Sequence, residues 1–167
     1  LEAIQAAAQN SQVGVVVGGG LLGLEAANAM MQLGVKTHVV EFAPQLMPVQ
    51  LNDKAGELLC SKIEQLGVSV HTSKATTAII VGETAMHRMT FNDESYLETD
   101  MIVFSAGIRP QDSLARISNI NIGERGGIEI DDYCLTSAPD VYAIGECALW
   151  QQKIFGLVAP GYQMARV

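Results

Sequence analysis

The sequence has few basic residues and no cluster of them. Its 167 residues include 10 Lys and Arg against 18 Asp and Glu, which gives a net charge of −8, and no run of Lys or Arg occurs. Nucleic acids and anionic membrane surfaces attract clustered positive charge. We therefore expect no nucleic acid and no membrane as a partner, and the acidic excess mainly indicates solubility.

Cysteine is scarce as well. Cys60, Cys134 and Cys147 are widely spaced and form no Cys-x-x-Cys pair. An odd number of isolated cysteines argues against a disulfide framework. The sequence therefore indicates a reduced, cytoplasmic chain and assigns no role to the three thiols.

Long hydrophobic runs are absent. The most apolar stretch, around residues 13–24, is interrupted by glycines and is shorter than the roughly 20 residues that a membrane helix needs. The first residues, LEAIQAAAQNSQ, lack the basic start of a signal peptide and are typical of an alanine-rich helix or linker. The sequence thus predicts no membrane-spanning segment.

Patterns typical of a metal centre or a catalytic triad are missing too. His38, His71 and His87 fall on predicted strands, with no Cys, His or Asp at ligand spacing and no serine partner. We interpret all three as structural or surface residues. The sequence predicts no metal site.

A regular alternation of strands and helices is present instead. Hydrophobic residues make up 49% of the chain and charged residues 17%, which is typical of one globular domain, or of one domain with a fragment of another. The strand-like runs VGVVV, VKTHVVE and VSVHT are separated by two helical segments. Strands alternating with helices predict an α/β fold with a parallel sheet.

The two helices are predicted from their apolar spacing and their ends. The second helix lies within residues 51–66, is capped by Asn52 or Asp53, and ends before Gly67, as the first ends before Gly34. The apolar stripe of the first helix is expected to consist of Leu22, Ala26, Ala29, Met30 and Leu33.

From residue 74 the pattern changes to short alternating strands. TTAIIV, AMHRMTF and SYLE are separated by turn residues and predict an antiparallel meander. MIVFSAG then resumes a buried strand that ends in glycine. Beyond it, DSLARI is helix-like, and GGIEID and DVYAIGE are strand-like.

A Gly-x-Gly-x-x-Gly motif lies between the first strand and the first helix. Gly18 permits the tight turn, Gly20 the close approach of a pyrophosphate, and Gly23 tight packing of helix on sheet. The free N–H groups of the helix start favour an anion. We predict a Rossmann-like βαβ unit that binds a dinucleotide through Gly18, Gly19, Gly20, Leu21, Leu22 and Gly23. A purely structural turn is the alternative.

An acidic residue follows at the spacing that this fold requires. Glu41 ends the second strand 21 residues after Gly20, where a carboxylate binds the adenosine ribose hydroxyls. The FAPQ segment after it has no Lys or Arg to neutralise a 2′-phosphate, so we predict NADH rather than NADPH. A solvated strand-end glutamate is the alternative. Glu25, near the helix start, is equally well explained by the helix dipole alone.

Three further segments carry a family resemblance. SAGIRPQ (105–111), TSAPDVYAIGECA (136–148) and GLVAPGYQMA (156–165), together with the Gly-x-Gly-x-x-Gly-x-Glu at 18–25, resemble the pyridine nucleotide-disulfide oxidoreductases, flavoproteins with two dinucleotide-binding domains. Within that family, THVVEFAP, ERGGI and AIGECALW are similar to the large subunits of NADH-dependent assimilatory nitrite reductases.

The resemblance implies a domain organisation. In this family an NAD domain is inserted into an FAD domain, whose own glycine motif precedes it. Residues 1–108 would then be the NAD(H)-binding domain with an entering linker, 1–12, and residues 109–167 the C-terminal segment of a split FAD domain. The chain would be a fragment of a longer reductase, inactive by itself.

The resemblance also implies roles for individual residues. The motif glycines would lie at the NADH pyrophosphate and Glu41 at its ribose. Positions nearer the flavin or the bound nucleotide would be Glu25, Gly107, Gly145, Glu146, Ala159 and Pro160. Glu146 replaces the aspartate of the family's Gly-Asp pair, as it does in the nitrite reductase branch, and lies towards the ribityl–phosphate region.

The implied chemistry is hydride transfer from NADH to FAD, which needs no catalytic acid or base from this chain. Electrons would pass onward to an iron–sulfur cluster and sirohaem outside this chain, reducing nitrite to ammonium. The expected partners are NADH, the rest of the flavin domain, the downstream redox domains and a possible second copy. A ferredoxin or rubredoxin reductase, an NADH oxidase, or a non-catalytic NAD sensor are the alternatives.

Overall fold

The chain divides into two compact units, which lie on either side of the junction between Gly107 and Ile108. We describe them from a computed structural model that covers residues 2–167. The first unit contains α1 (Glu2–Ala8), β1 (Val13–Val17), α2 (Leu21–Gln32), β2 (Lys36–Val40), α3 (Asp53–Gln65), β3 (Ser69–His71), β4 (Thr76–Val81), β5 (His87–Phe91), β6 (Tyr96–Thr99) and β7 (Met101–Phe104).

A four-stranded parallel sheet forms the centre of the first unit. Its strand order is β3-β2-β1-β7, and every pair is parallel. The remaining three strands form the antiparallel meander β4-β5-β6. The predicted α/β fold, with a Rossmann-like parallel sheet and a meander before its last strand, is therefore confirmed.

Apolar side chains are buried on both faces of this sheet. Val16 and Val39 pack in one cluster with Met30 of α2, while Val15 and Val40, their neighbours along the strands, pack in another. Neighbouring strand residues point to opposite faces. Consecutive valines therefore bury themselves on both sides, as a covered parallel sheet requires.

The apolar stripe predicted for α2 is wrong in part. Met30 is fully buried, but Leu22 and Leu33 are 63% and 45% exposed. The buried face is formed by Gly23, Ala27 and Met30. Small residues at i and i+4 let the helix approach the sheet closely, and this turns the two leucines away from the core.

The ends of α2 and α3 agree with the prediction. The Asn52 side chain accepts a hydrogen bond from the Ala55 N–H at 3.0 Å and so caps α3. Gly34 and Gly67, just beyond the two helices, have φ values of +84° and +97°. These left-handed residues stop each helix and start the next strand.

The second unit has short elements. It contains α4 (Ser113–Ile117), β8 (Ile128–Ile130), a 3₁₀ turn (Gly145–Cys147), β9 (Ala148–Trp150) and α5 (Val158–Met164), and β8 pairs in parallel with β9. DSLARI and GGIEID form the predicted helix and strand. DVYAIGE forms an isolated antiparallel bridge between Tyr142 and Leu135 instead of the predicted strand. Asp140 and Gly145, with φ values of +59° and +80°, end the extended run on either side.

Candidate functional site

The glycine motif forms a tight turn at the carboxyl end of β1. Gly18 has a φ of +112°, and a Cβ there would lie 2.4 Å from the Ser105 carbonyl oxygen. Its N–H donates to the Val40 carbonyl at 2.8 Å, which ties the turn to β2. No other residue type fits both the backbone conformation and the space.

The other two motif glycines differ from each other. A Cβ on Gly23 would lie 1.9 Å from the Gly18 carbonyl oxygen, so this glycine lets α2 pack on the turn. Gly20, at the start of α2, has no heavy atom within 4 Å of the same position and lies in the wall of a cleft. The space beside Gly20 is therefore open to a ligand.

Glu41 lies against this turn. One carboxylate oxygen, Oε2, accepts a hydrogen bond from the Gly19 N–H at 2.6 Å, and Oε1 accepts one from the Ala43 N–H at 2.7 Å. The structure thus brings together the two predicted parts of the site, which are about twenty residues apart in the chain. The carboxylate is held in one place by backbone donors.

A cleft of about 570 Å³ opens at this edge of the sheet. It is lined by Val17, Gly18, Gly20, Val40, Glu41, Phe42, Pro48, Val49, Gln50, Lys74, Ala75, Thr76, Ser105, Ala106 and Gly107. Gly107, which the family resemblance suggested, is among them. The carboxyl edge of a parallel sheet is where such folds bind ligands.

Two lining residues were missed by the sequence analysis. Lys74 follows β3, and its backbone N–H donates to the Glu41 carbonyl at 3.0 Å. Thr76 has a buried hydroxyl, Oγ1, without a hydrogen-bond partner among the described residues. Both residues come after the third strand of the parallel sheet, β3, whereas the prediction about a cation considered only the segment after the second strand, β2.

Some of the predicted residues lie outside the cleft. Leu21 is exposed, and Leu22 and Glu25 line a separate shallow groove of about 490 Å³ on the outer side of α2, together with Ile4 and Leu33. Gly18 and Gly20 therefore lie in the wall of the cleft, whereas the side chains of the first turn of α2 lie elsewhere.

His38 and His71 form a pair on neighbouring strands. Their Nδ1 and Nε2 atoms are 3.0 Å apart and the rings are stacked. Burial lowers the pKa of His38 to about 4 and also lowers the pKa of His71. Neither residue lines the cleft. Among the residues described, no group of three or more His, Cys, Asp or Glu side chains could hold a metal ion.

The second unit has a pocket of its own, of about 390 Å³. Its lining is mostly apolar and consists of Ile144, Gly145, Glu146, Leu157, Val158, Gly161, Tyr162 and Ala165. The Gly145 N–H points to the Met164 sulfur at 3.3 Å. Gly145 and Glu146 are thus brought together with α5, whereas Pro160 lines a neighbouring pocket.

The thiols and the helices give two further observations. Cys60, Cys134 and Cys147 are all free. Within residues 2–167, none of the helices has the length and apolar character that crossing a bilayer requires.

Comparison with known proteins gives consistent matches. The family model for pyridine nucleotide-disulphide oxidoreductases matches residues 2–165. The nitrite reductase (NAD(P)H) large subunit of Klebsiella oxytoca is 64% identical over 165 residues, which are 99% of this chain and 17% of that protein. The nitrite reductase (NADH) large subunit of Escherichia coli is 58% identical over 168 residues, which are 100% of this chain and 20% of that protein.

A solved structure agrees with these sequence matches. The ferredoxin reductase for the CYP199A2 system of Rhodopseudomonas palustris superposes with a TM-score of 0.89 at 25% identity, over 99% of this chain and 42% of that one. The chain spans about a fifth of the length of the two curated relatives. Since the family model covers nearly all of it, the chain belongs to the pyridine nucleotide-disulphide oxidoreductase family.

Proposed function

We propose that this chain is the NADH-binding part of a flavoprotein reductase that acts in NADH-dependent nitrite reduction. One observation supports the proposal most strongly: the glycine turn, the anchored Glu41 carboxylate and an open cleft meet at the carboxyl edge of the parallel sheet. Nitrite reductase subunits are among its relatives. The reduction of nitrite itself would take place in other parts of a longer protein, at an iron–sulfur and sirohaem centre.

The residues of the cleft fit a dinucleotide. The wall at Gly20 has room for a pyrophosphate beside the start of α2, where backbone N–H groups and the helix dipole favour an anion. The buried Thr76 hydroxyl has no hydrogen-bond partner among the described residues, and a ligand could supply one. Glu41 would accept hydrogen bonds from the ribose hydroxyls.

Glu41 would also set the preference for NADH. A carboxylate accepts a 2′-hydroxyl but repels a 2′-phosphate, and its two backbone donors keep it from turning away. Because hydride transfer needs no catalytic acid or base from this chain, the role of the protein would be to bind the cofactor and orient it.

The second unit would supply part of a flavin site. Gly145, Glu146 and the apolar residues of α5 surround its pocket. We propose that residues 109–167 belong to a split FAD domain and residues 1–108 to the NAD(H) domain. When bound, NADH and FAD would supply the hydride-transfer chemistry. Since this chain would hold only part of the flavin site, we expect it to be purified without stoichiometric FAD.

The test is a titration of the chain with NADH and, in parallel, with NADPH, followed by cofactor fluorescence. We expect NADH to bind at least tenfold more tightly, which is about 1.4 kcal/mol. Glu41→Gln should reduce that ratio, because the amide keeps the size of the side chain and loses its charge. Glu57→Gln, on the exposed side of α3, is the matched control. Absence of NADH binding would contradict the proposal.

A further inference from the structure

A cation lies in the same cleft as Glu41. Lys74 follows β3, and its backbone N–H donates to the Glu41 carbonyl at 3.0 Å, so the two residues are neighbours across the strand ends. Of the residues described as lining the cleft, Glu41 and Lys74 are the charged ones. A free ammonium here would be a natural partner for a phosphate on the adenosine ribose.

The Lys74 ammonium is held by the meander. Its Nζ donates to the Asp93 carboxylate and, at 2.8 Å, to the Ser95 hydroxyl. It also lies 5.6 Å from the centre of the buried Phe91 ring. The Lys74 side chain is 21% exposed. The hydrogen bond from Lys74 lowers the pKa of Asp93 to about 2, below the ordinary 3.8, because the ammonium favours the charged carboxylate.

Asp93 is placed by the turn between β5 and β6. Its Oδ1 accepts a hydrogen bond from the Ser95 hydroxyl at 2.6 Å. The turn is fastened to the segment after β3 by two bonds between Asn92 and Ala75: the Ala75 N–H donates to Asn92 Oδ1 at 2.9 Å, and the Asn92 N–H donates to the Ala75 carbonyl at 2.9 Å. The acid is therefore held beside Lys74 by backbone as well as by charge.

We propose that Asp93 is a specificity-determining residue of the dinucleotide site, which acts by holding the Lys74 ammonium against the meander and away from the ribose position. The inference rests on the proposed function and adds to it a second determinant, remote from the strand end that carries Glu41. With Lys74 neutralised by Asp93, the residues described as lining the cleft present the Glu41 carboxylate and no free cation. A 2′-phosphate would then enter next to an acid and lack a counter-charge.

The experiment is Asp93→Asn in the full chain, titrated with NADH and NADPH. Asparagine keeps the oxygen that accepts from Ser95 and removes the charge that holds Lys74. We expect NADPH to bind about tenfold more tightly than it does to the unchanged chain, with NADH affinity changed less than twofold. The gain should decline as salt is added, because a freed ammonium acts through charge.

Three further variants decide the cause of such a gain. Glu94→Gln removes one acidic charge from an exposed position in the same turn, and it should leave the NADH to NADPH ratio unchanged. Asp93→Asn combined with Lys74→Met should lose the gain, since no ammonium remains to be freed. Asp93→Ser, which also suits a turn, should reproduce the gain if Asp93→Asn disturbs folding, as monitored by circular dichroism.

The outcomes separate this inference from the proposed function. An unchanged ratio in folded Asp93→Asn and Asp93→Ser, or an equal gain in Glu94→Gln, would overturn the role of Asp93 while NADH binding by the unchanged chain still stood. A chain that binds neither dinucleotide would overturn the proposed function and this inference together.

Discussion

The two units of the chain bury their apolar side chains to very different extents. In the first, Val16, Met30 and Val39 are completely buried, between a four-stranded sheet and its helices. In the second, Val158 and Tyr162 of α5 are 69% and 66% exposed. The rest of the second unit has two strands of three residues and one other short helix, and it leaves these side chains uncovered.

This difference bears on what each unit can do. The cleft of the first unit is made by turns whose positions are fixed by backbone hydrogen bonds, so the groups that we propose to bind a dinucleotide are already in place. The pocket of the second unit lies on exposed side chains of α5. A site that relies on uncovered apolar residues is the kind that a further part of the same protein would complete, as the proposed split flavin domain requires.

The largest expected effect comes from separating the units. We expect residues 1–107 expressed alone to unfold cooperatively in urea, because their core clusters lie within that range. Residues 108–167 alone should show no cooperative transition, since a segment of that size with so little buried apolar area is below what folds independently. Circular dichroism during a urea titration measures both. A cooperative transition in the second piece would contradict the comparison.

Two substitutions that shorten a side chain test the difference in burial between the two units more closely. Met30→Ala should lower the free energy of unfolding by about 3 kcal/mol, because it empties space in a closed core. Val158→Ala removes an exposed side chain and should change stability by less than about 0.5 kcal/mol. Urea midpoints of the full chain check both. Equal losses would show that the second unit has a core after all.

Within the first unit, two alanine substitutions separate folding from binding. Gly23→Ala should destabilise by about 2 kcal/mol, because its Cβ would meet the Gly18 carbonyl, which is backbone and cannot rotate away. Gly20→Ala should lower the urea midpoint much less than Gly23→Ala and should weaken NADH binding, since its Cβ enters open space in the cleft wall. Undiminished NADH binding by Gly20→Ala would argue against the glycine turn as the ligand site.

The smallest expected effect is a pH dependence that originates in the first unit. Burial lowers the pKa of His38 to about 4, from an ordinary value of 6.5. Between these values the unfolded chain binds a proton that the folded chain does not, so the free energy of unfolding decreases as the pH falls from 6.5 to 4. Between pH 7 and pH 5.5 we expect this histidine to lower the free energy of unfolding by about 1 kcal/mol.

His38→Asn should flatten that pH dependence, because asparagine keeps a polar atom near Nδ1 and does not titrate. His87→Asn, which removes a histidine outside the stacked pair, is the control and should keep the slope. Urea unfolding at pH 7, 5.5 and 4.5 measures the difference. If the free energy of unfolding depends on pH in the same way in His38→Asn and in the unchanged chain, His38 is not the origin of that dependence.

Much of the first unit could be predicted from local signals. Short stretches of sequence determine several of its features, because each depends on a few neighbouring residues. Examples are the strand VGVVV, the helix cap at Asn52, and the left-handed glycines Gly34 and Gly67. The apolar stripe predicted for α2 was wrong in part because helical spacing alone permits more than one buried face. The small residues Gly23 and Ala27 decide which face meets the sheet. The strand predicted for DVYAIGE is absent because strand propensity does not reveal which residues adopt a left-handed backbone conformation.

By itself, the sequence determined the fold class and the dinucleotide motif: strand, glycine turn, helix and acid follow one another at a spacing that the parallel βαβ unit requires. Only the tertiary structure decided where the charges near that motif lie. It placed Lys74 beside Glu41 and the Asp93 carboxylate on Lys74, although these residues come from three separate segments. Motifs depend on local backbone geometry, whereas the electrostatics of a site depend on which distant strands end side by side.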